Sequence, residues 1–84
     1  MLWRNFNIFP NPSHTAFTIQ YHFSDNDEAT VEITDAAGRA ISAIPLLKNA
    51  TQTTINATTW QPGVYFYKVL QNGNTLQTGK LLKQ

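Results

Sequence analysis

The chain has 84 residues and a net charge of +1, from 6 Lys and Arg against 5 Asp and Glu. That length holds one domain, which buries about 60–65% of the surface its unfolded chain exposes and is therefore of modest stability. The absence of cysteine excludes disulfides and thiol chemistry; the weak, scattered charge excludes a nucleic-acid footprint; no run approaches the roughly 20 apolar residues of a membrane helix.

Residues 1–10 do not form a signal peptide, because Arg4, Asn5 and Asn7 break any apolar core. The chain as given is thus not expected to route itself through the general export pathway. Residues 2–9 read as a short edge strand, stopped by Phe9-Pro10-Asn11-Pro12, where two prolines remove two backbone donors and force an extended or turning path. Residues 15–23 alternate strictly. Phe17, Ile19, Tyr21 and Phe23 share one face, and Thr18, Gln20 and His22 the other, the signature of a half-buried antiparallel strand. A polar turn follows at 24–27. Ala29, Val31 and Ile33 then alternate against Thr30, Glu32 and Thr34, and Asp35-Ala36-Ala37-Gly38 reads as a hairpin turn with Gly38 left-handed.

Residues 39–47 form the next strand, with Ile41 and Ala43 in one phase. Ile44, Leu46 and Leu47 leave that phase, and Pro45 marks a bulge or a sheet edge. After a loop at 48–50, residues 51–57 read as a Thr-rich strand around Ile55. Pro62-Gly63 suits the central pair of a type II turn. The strand it feeds, 64–71, begins with two Tyr, one Phe and two Val in six positions. Trp60 stands across the turn, free to fold back over that strand. The spacing Gly63-x-Tyr65 resembles the tyrosine corner of immunoglobulin-like sandwiches, in which a Tyr near the start of a strand bonds to backbone before it. Asn72-Gly73 is the strongest hairpin signal in the chain. Residues 75–83 return as the last strand, with Leu76, Leu81 and Leu82 apolar. Six to seven short strands, turn signals every 8–12 residues and no amphipathic helix predict an all-β fold: a small antiparallel β-sandwich, immunoglobulin-like.

Chemistry is sparse. His14 and His22 each stand alone in polar surroundings, whereas a metal site needs several converging ligands. Asp25, Asp27 and Glu28 lack the Gly and distal Glu of a calcium loop and read as a solvated turn. No nucleophile with a base and no phosphate-binding Gly loop can be assembled. Asn49-Ala50-Thr51 and Asn56-Ala57-Thr58 match the glycan acceptor pattern, which is frequent by chance in Thr-rich loops. No cofactor, metal site or catalytic residue is expected.

Four motifs in order carry a resemblance: Phe9-Pro10-Asn11-Pro12, Val31-Glu32-Ile33-Thr34-Asp35-Ala36-Ala37-Gly38-Arg39, Pro62-Gly63-Val64-Tyr65-Phe66-Tyr67, and Gly79-Lys80-Leu81-Leu82-Lys83. Together they resemble the C-terminal sorting domain, type A, of the type IX secretion system of Bacteroidetes-type Gram-negative bacteria. The resemblance covers residues 8–84, leaving 1–7 as a lead-in or linker remnant. It implies a non-catalytic tag at the end of a secreted or cell-surface cargo, read during periplasmic transit by an outer-membrane translocon and commonly removed by a sortase-like cysteine protease. It also implies that Pro10, Asn11 and Pro12 open the domain, that Gly38, Gly63 and Tyr65 belong to its turns and corner, and that Lys80, Leu81, Leu82 and Lys83 form the closing strand most tied to export. Members of the family follow a cargo, and here only seven or so residues precede Ile8.

On physical grounds the Pro, Gly and Tyr positions are structural. Lys80 and Lys83, three apart, face opposite ways on a regular strand, so at most one points inward. An edge lysine is either a guard against aggregation or a contact for a partner, and an unpaired strand edge is open to strand addition. The competing reading is a fibronectin- or immunoglobulin-like module binding carbohydrate or protein through exposed aromatics such as Trp3, Tyr21 or Tyr67.

Overall fold

The alternating segments become strands that bury one face each. The computed structural model describes residues 6–22, 28–47 and 50–84. Trp3, Phe23, the turn at 24–27 with Asp25 and Asp27, and Lys48 and Asn49 lie outside the described residues. Among the described residues there are seven strands and no helix: β1 (Asn7–Phe9), β2 (Ala16–Gln20), β3 (Ala29–Asp35), β4 (Ala40–Leu46), β5 (Gln52–Asn56), β6 (Gly63–Gln71) and β7 (Asn74–Lys83). They make a 3-stranded sheet ordered β1-β2-β5 and a 4-stranded sheet ordered β4-β3-β6-β7. Every neighbouring pair is antiparallel. In immunoglobulin-like terms this is A-B-E facing C′-C-F-G, the sandwich expected from the sequence.

The core is where the alternation placed it. Phe17, Ile19, Val31, Ile33, Ile55, Val69 and Leu81 are 0% exposed. Removing one large member such as Phe17 costs about 3–5 kcal/mol, against a total stability of ~5–15 kcal/mol for a small domain. Phe6, ahead of β1, is packed into the same cluster.

Two bulges explain the phases that the sequence left irregular. In the β3–β4 pair Ile33 opposes Ser42 and Thr34 opposes Ala40, so Ile41 is the extra residue. Past it, Ser42, Ile44 and Leu46 turn toward the core, and Ile41, Ala43 and Pro45 face out. Pro45 lies on β4, an edge strand, where its missing N–H costs no interior ladder bond. In the β6–β7 pair Val69 opposes Gln77 and Leu70 opposes Thr75, leaving Leu76 extra. Such an insertion shifts the strand's phase by one, so Leu76 and Leu81, five apart, both pack on the core.

One turn differs from expectation. Gly63 has φ +150°, not the value near +80° of a type II turn, because it is already the first residue of β6, opposite Lys83. The hydrogen-bonded turn lies earlier, with the Trp60 N–H donating to Ala57 O at 3.1 Å. Asn72 (φ +52°) and Gly73 (φ +79°) do form the left-handed pair of a type I′ hairpin.

Candidate recognition surface

β7 is long because Asn72-Gly73 turns the chain tightly back along β6, and it ends at the edge of the 4-stranded sheet. Strand alternation divides the basic-aliphatic segment. Leu81 is fully buried and Lys83 is 8% exposed, with its Nζ 3.4 Å from Gln84 O. Lys80 and Leu82 point to the outer face.

That end of the strand is not an open edge. After β1, residues 10–13 cross to the 4-stranded sheet. The Asn11 Nδ2 donates to Lys80 O at 2.9 Å, and the Leu82 N–H donates to Asn11 Oδ1 at 2.9 Å. The Ser13 N–H donates to Leu82 O at 3.0 Å, and the Gln84 N–H to Ser13 O at 2.8 Å. The two prolines lack N–H donors, which leaves the Asn11 amide and the Ser13 backbone to make the contact. Ser13 is itself buried, its hydroxyl donating to Ala16 O at 2.5 Å. The unpaired strand end expected for 80–83 is therefore already filled, by a segment with which it shares no local sequence signal.

The expected corner is present. The Tyr65 hydroxyl donates to Gln61 O at 2.6 Å, four residues back. Trp60 folds over it, with ring centroids 4.6 Å from Tyr65 and 5.9 Å from Phe17. At the Asp35 turn, Oδ1 accepts the N–H groups of Ala37 (3.0 Å) and Arg39 (2.9 Å), while Oδ2 accepts Arg39 Nε at 2.8 Å. The Arg39 backbone N–H is the first of the groups that hold the Asp35 carboxyl below its ordinary value, helped by the Arg39 side chain and the Ala37 N–H against partial burial. Gly38 has φ +87°, as that turn requires. Gly79 stood out in the sequence only as the first residue of the closing motif, although a glycine inside a strand also signals close approach. A Cβ there would lie 2.4 Å from the Tyr67 ring, its cross-strand partner. The Tyr67 ring covers that gap, and Gln77 Nε2 donates both to its hydroxyl and to Phe6 O, each at 2.8 Å.

The remaining candidates are bland. His14 and His22 are exposed, and among the described residues no three His, Asp or Glu cluster to hold a metal. Asn56 Oδ1 accepts from the Thr58 N–H and hydroxyl, so that motif builds a turn. Tyr21 is buried with its hydroxyl on Leu47 O, and Tyr67 is half-buried, so neither is the exposed platform a sugar-binding module requires. The largest exposed apolar groups are elsewhere: Phe66, Leu82 and Ile41 on the outer face of the 4-stranded sheet, with Phe9 and Leu47 apart from them. A shallow trough of about 370 Å³ runs over that face between Glu32, Phe66, Lys68 and Lys80.

Compared with known families, residues 7–84 match the profile of the secretion system C-terminal sorting domain. No curated protein matches the chain at a meaningful level.

Proposed function

The chain belongs to the type IX secretion system C-terminal sorting domain family, and from that premise we propose how its closing strand carries the address. The family is a sorting signal rather than a catalytic one, which implies an N-terminal cargo, interaction with the type IX machinery, and a secreted or cell-surface destination. In our reading, residues 8–84 are the tag and the segment before them joins it to a cargo that enters the periplasm by its own signal. The outer-membrane translocon reads the folded tag, and a sortase-like cysteine protease then cuts it away.

Within the tag, Lys80 and Leu82 make the contact. Leu81 and Lys83 support it from the inner side. Pro10, Asn11, Pro12, Gly38, Gly63 and Tyr65 act indirectly, by keeping the strand in place. The observation that carries this reading is the display of β7, in which a buried Leu81 holds Lys80 and Leu82 outward.

The test fuses the whole chain to the C-terminus of a periplasmic reporter in a host that carries the system. The reporter is expected in the medium or on the cell surface, and the double change Lys80→Ser with Leu82→Ser is expected to leave it in the periplasm while Leu81 keeps the fold. Periplasmic retention of the unaltered fusion, or equal export of the folded double variant, overturns the reading.

A further inference from the structure

We infer that the translocon reads the closing strand from the outer face of the 4-stranded sheet and not by adding a strand to its edge, and that the occupant of this face is an apolar, acidic segment of the translocon. The inference deepens the function proposed above and rests on it. Between Lys80 and Gln84 the outward backbone groups of β7 are engaged by Asn11 and Ser13 through four hydrogen bonds. A strand added there must first break all four. A partner approaching residues 80–84 therefore meets side chains rather than free N–H and C=O groups.

Those side chains belong to a larger patch. Register places Phe66 directly between Thr34 on β3 and Lys80 on β7, and Val64 beside Leu82. Phe66 is 42% exposed and Leu82 and Ile41 are each 40% exposed, so three of the five exposed large hydrophobic residues described lie on this one face. The opposite charges of Glu32 and Lys68 face each other across β3 and β6. The row of Thr34, Phe66 and Lys80 holds no carboxylate, and Glu32, the carboxylate of the trough, stands in the row of Lys68, which leaves Lys80 as the charge directly beside the aromatic ring. Beside them the trough is lined by Glu32, Thr34, Phe66, Lys68, Thr78 and Lys80, so its two lysines outnumber its one carboxylate. Its chemistry suits a partner segment that lays an apolar side chain over Phe66 and a carboxylate against Lys80, and the patch is continuous with the residues already assigned to recognition. Aromatic side chains, Phe included, are enriched at the centres of protein interfaces, with polar groups around the rim.

The experiment uses the same whole-chain reporter fusion with four single changes: Phe66→Thr, Lys80→Glu, Lys80→Arg, and Phe9→Ser as an exposed apolar control on the other sheet. Threonine keeps strand propensity at position 66. Thermal unfolding of each purified variant confirms the fold. Phe66→Thr and Lys80→Glu are each expected to lower the exported fraction roughly tenfold, the effect of losing one good interface residue, with Lys80→Arg, which keeps the cation, falling less than Lys80→Glu and Phe9→Ser within about twofold of the parent. Export of Phe66→Thr at the parental level overturns the face, and equal export of Lys80→Glu and Lys80→Arg overturns the acidic partner. In both cases a failing Lys80→Ser, Leu82→Ser double variant leaves the sorting role itself standing. Loss in Phe9→Ser equal to that in Phe66→Thr also overturns the assignment, because it makes the effect general to exposed apolar groups.

Discussion

Asn11 and Leu82 are 71 residues apart in the chain, yet the Leu82 N–H donates to Asn11 Oδ1 at 2.9 Å. Its Nδ2 reaches Lys80 O, so one side-chain amide bonds the edge of β7 as a neighbouring peptide unit would. Both bonds are exposed, water competes for them, and each is worth about 0.5–1.5 kcal/mol net. Asn11→Ala is therefore expected to lower unfolding free energy by about 1–2 kcal/mol, seen as a lower denaturant midpoint with an unchanged slope. Hydrogen exchange at the Leu82 amide is expected to quicken more than at buried β6 amides. An unchanged midpoint together with unchanged exchange at Leu82 contradicts the fastening role.

Tyr65→Phe tests the corner. It keeps the ring against Trp60 and deletes only the hydroxyl bond to Gln61 O. The part-buried carbonyl loses its partner, for an expected cost of about 1–2 kcal/mol. Trp60 reports the change directly, through its fluorescence on unfolding. A variant as stable as the parent contradicts the corner's contribution.

Legibility in the sequence followed the range of the interaction. β2 and β3 were readable because Phe17, Ile19 and Tyr21, and Ala29, Val31 and Ile33, keep the period of two on buried faces. The Tyr65 corner and the Asn72-Gly73 turn were readable because their partners lie within a few residues. β4 and β7 were readable as strands, but which of their residues face the core was not, since the extra residues Ile41 and Leu76 reverse the phase and only the partner strand reveals a bulge. Pro62-Gly63 misled because a pair that suits a turn sits instead at the entrance to a ladder. Asn11 marked an element boundary, but nothing local tells an amide which distant carbonyl it will meet. Phe66 was visible only as a strand former until the register set it beside Lys80.

Gly79→Ala is expected to be costly although alanine is a mild change. The added Cβ would lie 2.4–2.7 Å from the Tyr67 ring atoms, whose hydroxyl is fixed by Gln77. Moving the ring breaks the link from Gln77 to Tyr67 and loosens Phe6, at about 1–3 kcal/mol for such overpacking. The cause is separable by a double-mutant cycle. In a Tyr67→Ala background the same Gly79→Ala change is expected to cost no more than about 0.5 kcal/mol. Equal costs in both backgrounds refute the close-approach explanation.

Asp35 supplies a pH test with a fixed sign. Its folded carboxyl titrates below the ordinary value of 3.8, chiefly because the Arg39 N–H stabilises the ionised form. A depressed acid contributes stability that is present above the unfolded value and is lost as pH falls through the lower folded one. Asp35→Asn keeps an acceptor for Ala37 and Arg39 but cannot ionise or pair with the Arg39 guanidinium. The stability difference between parent and variant is therefore expected to be level at neutral and mildly acidic pH and to shrink as the pH drops below 3.8. Unfolding midpoints along that series, with a carboxyl NMR titration of Asp35, measure both sides of the linkage. A difference that stays constant through the acid range, or an Asp35 titration above 3.8, contradicts the assignment of the turn's stability to the ionised Asp35.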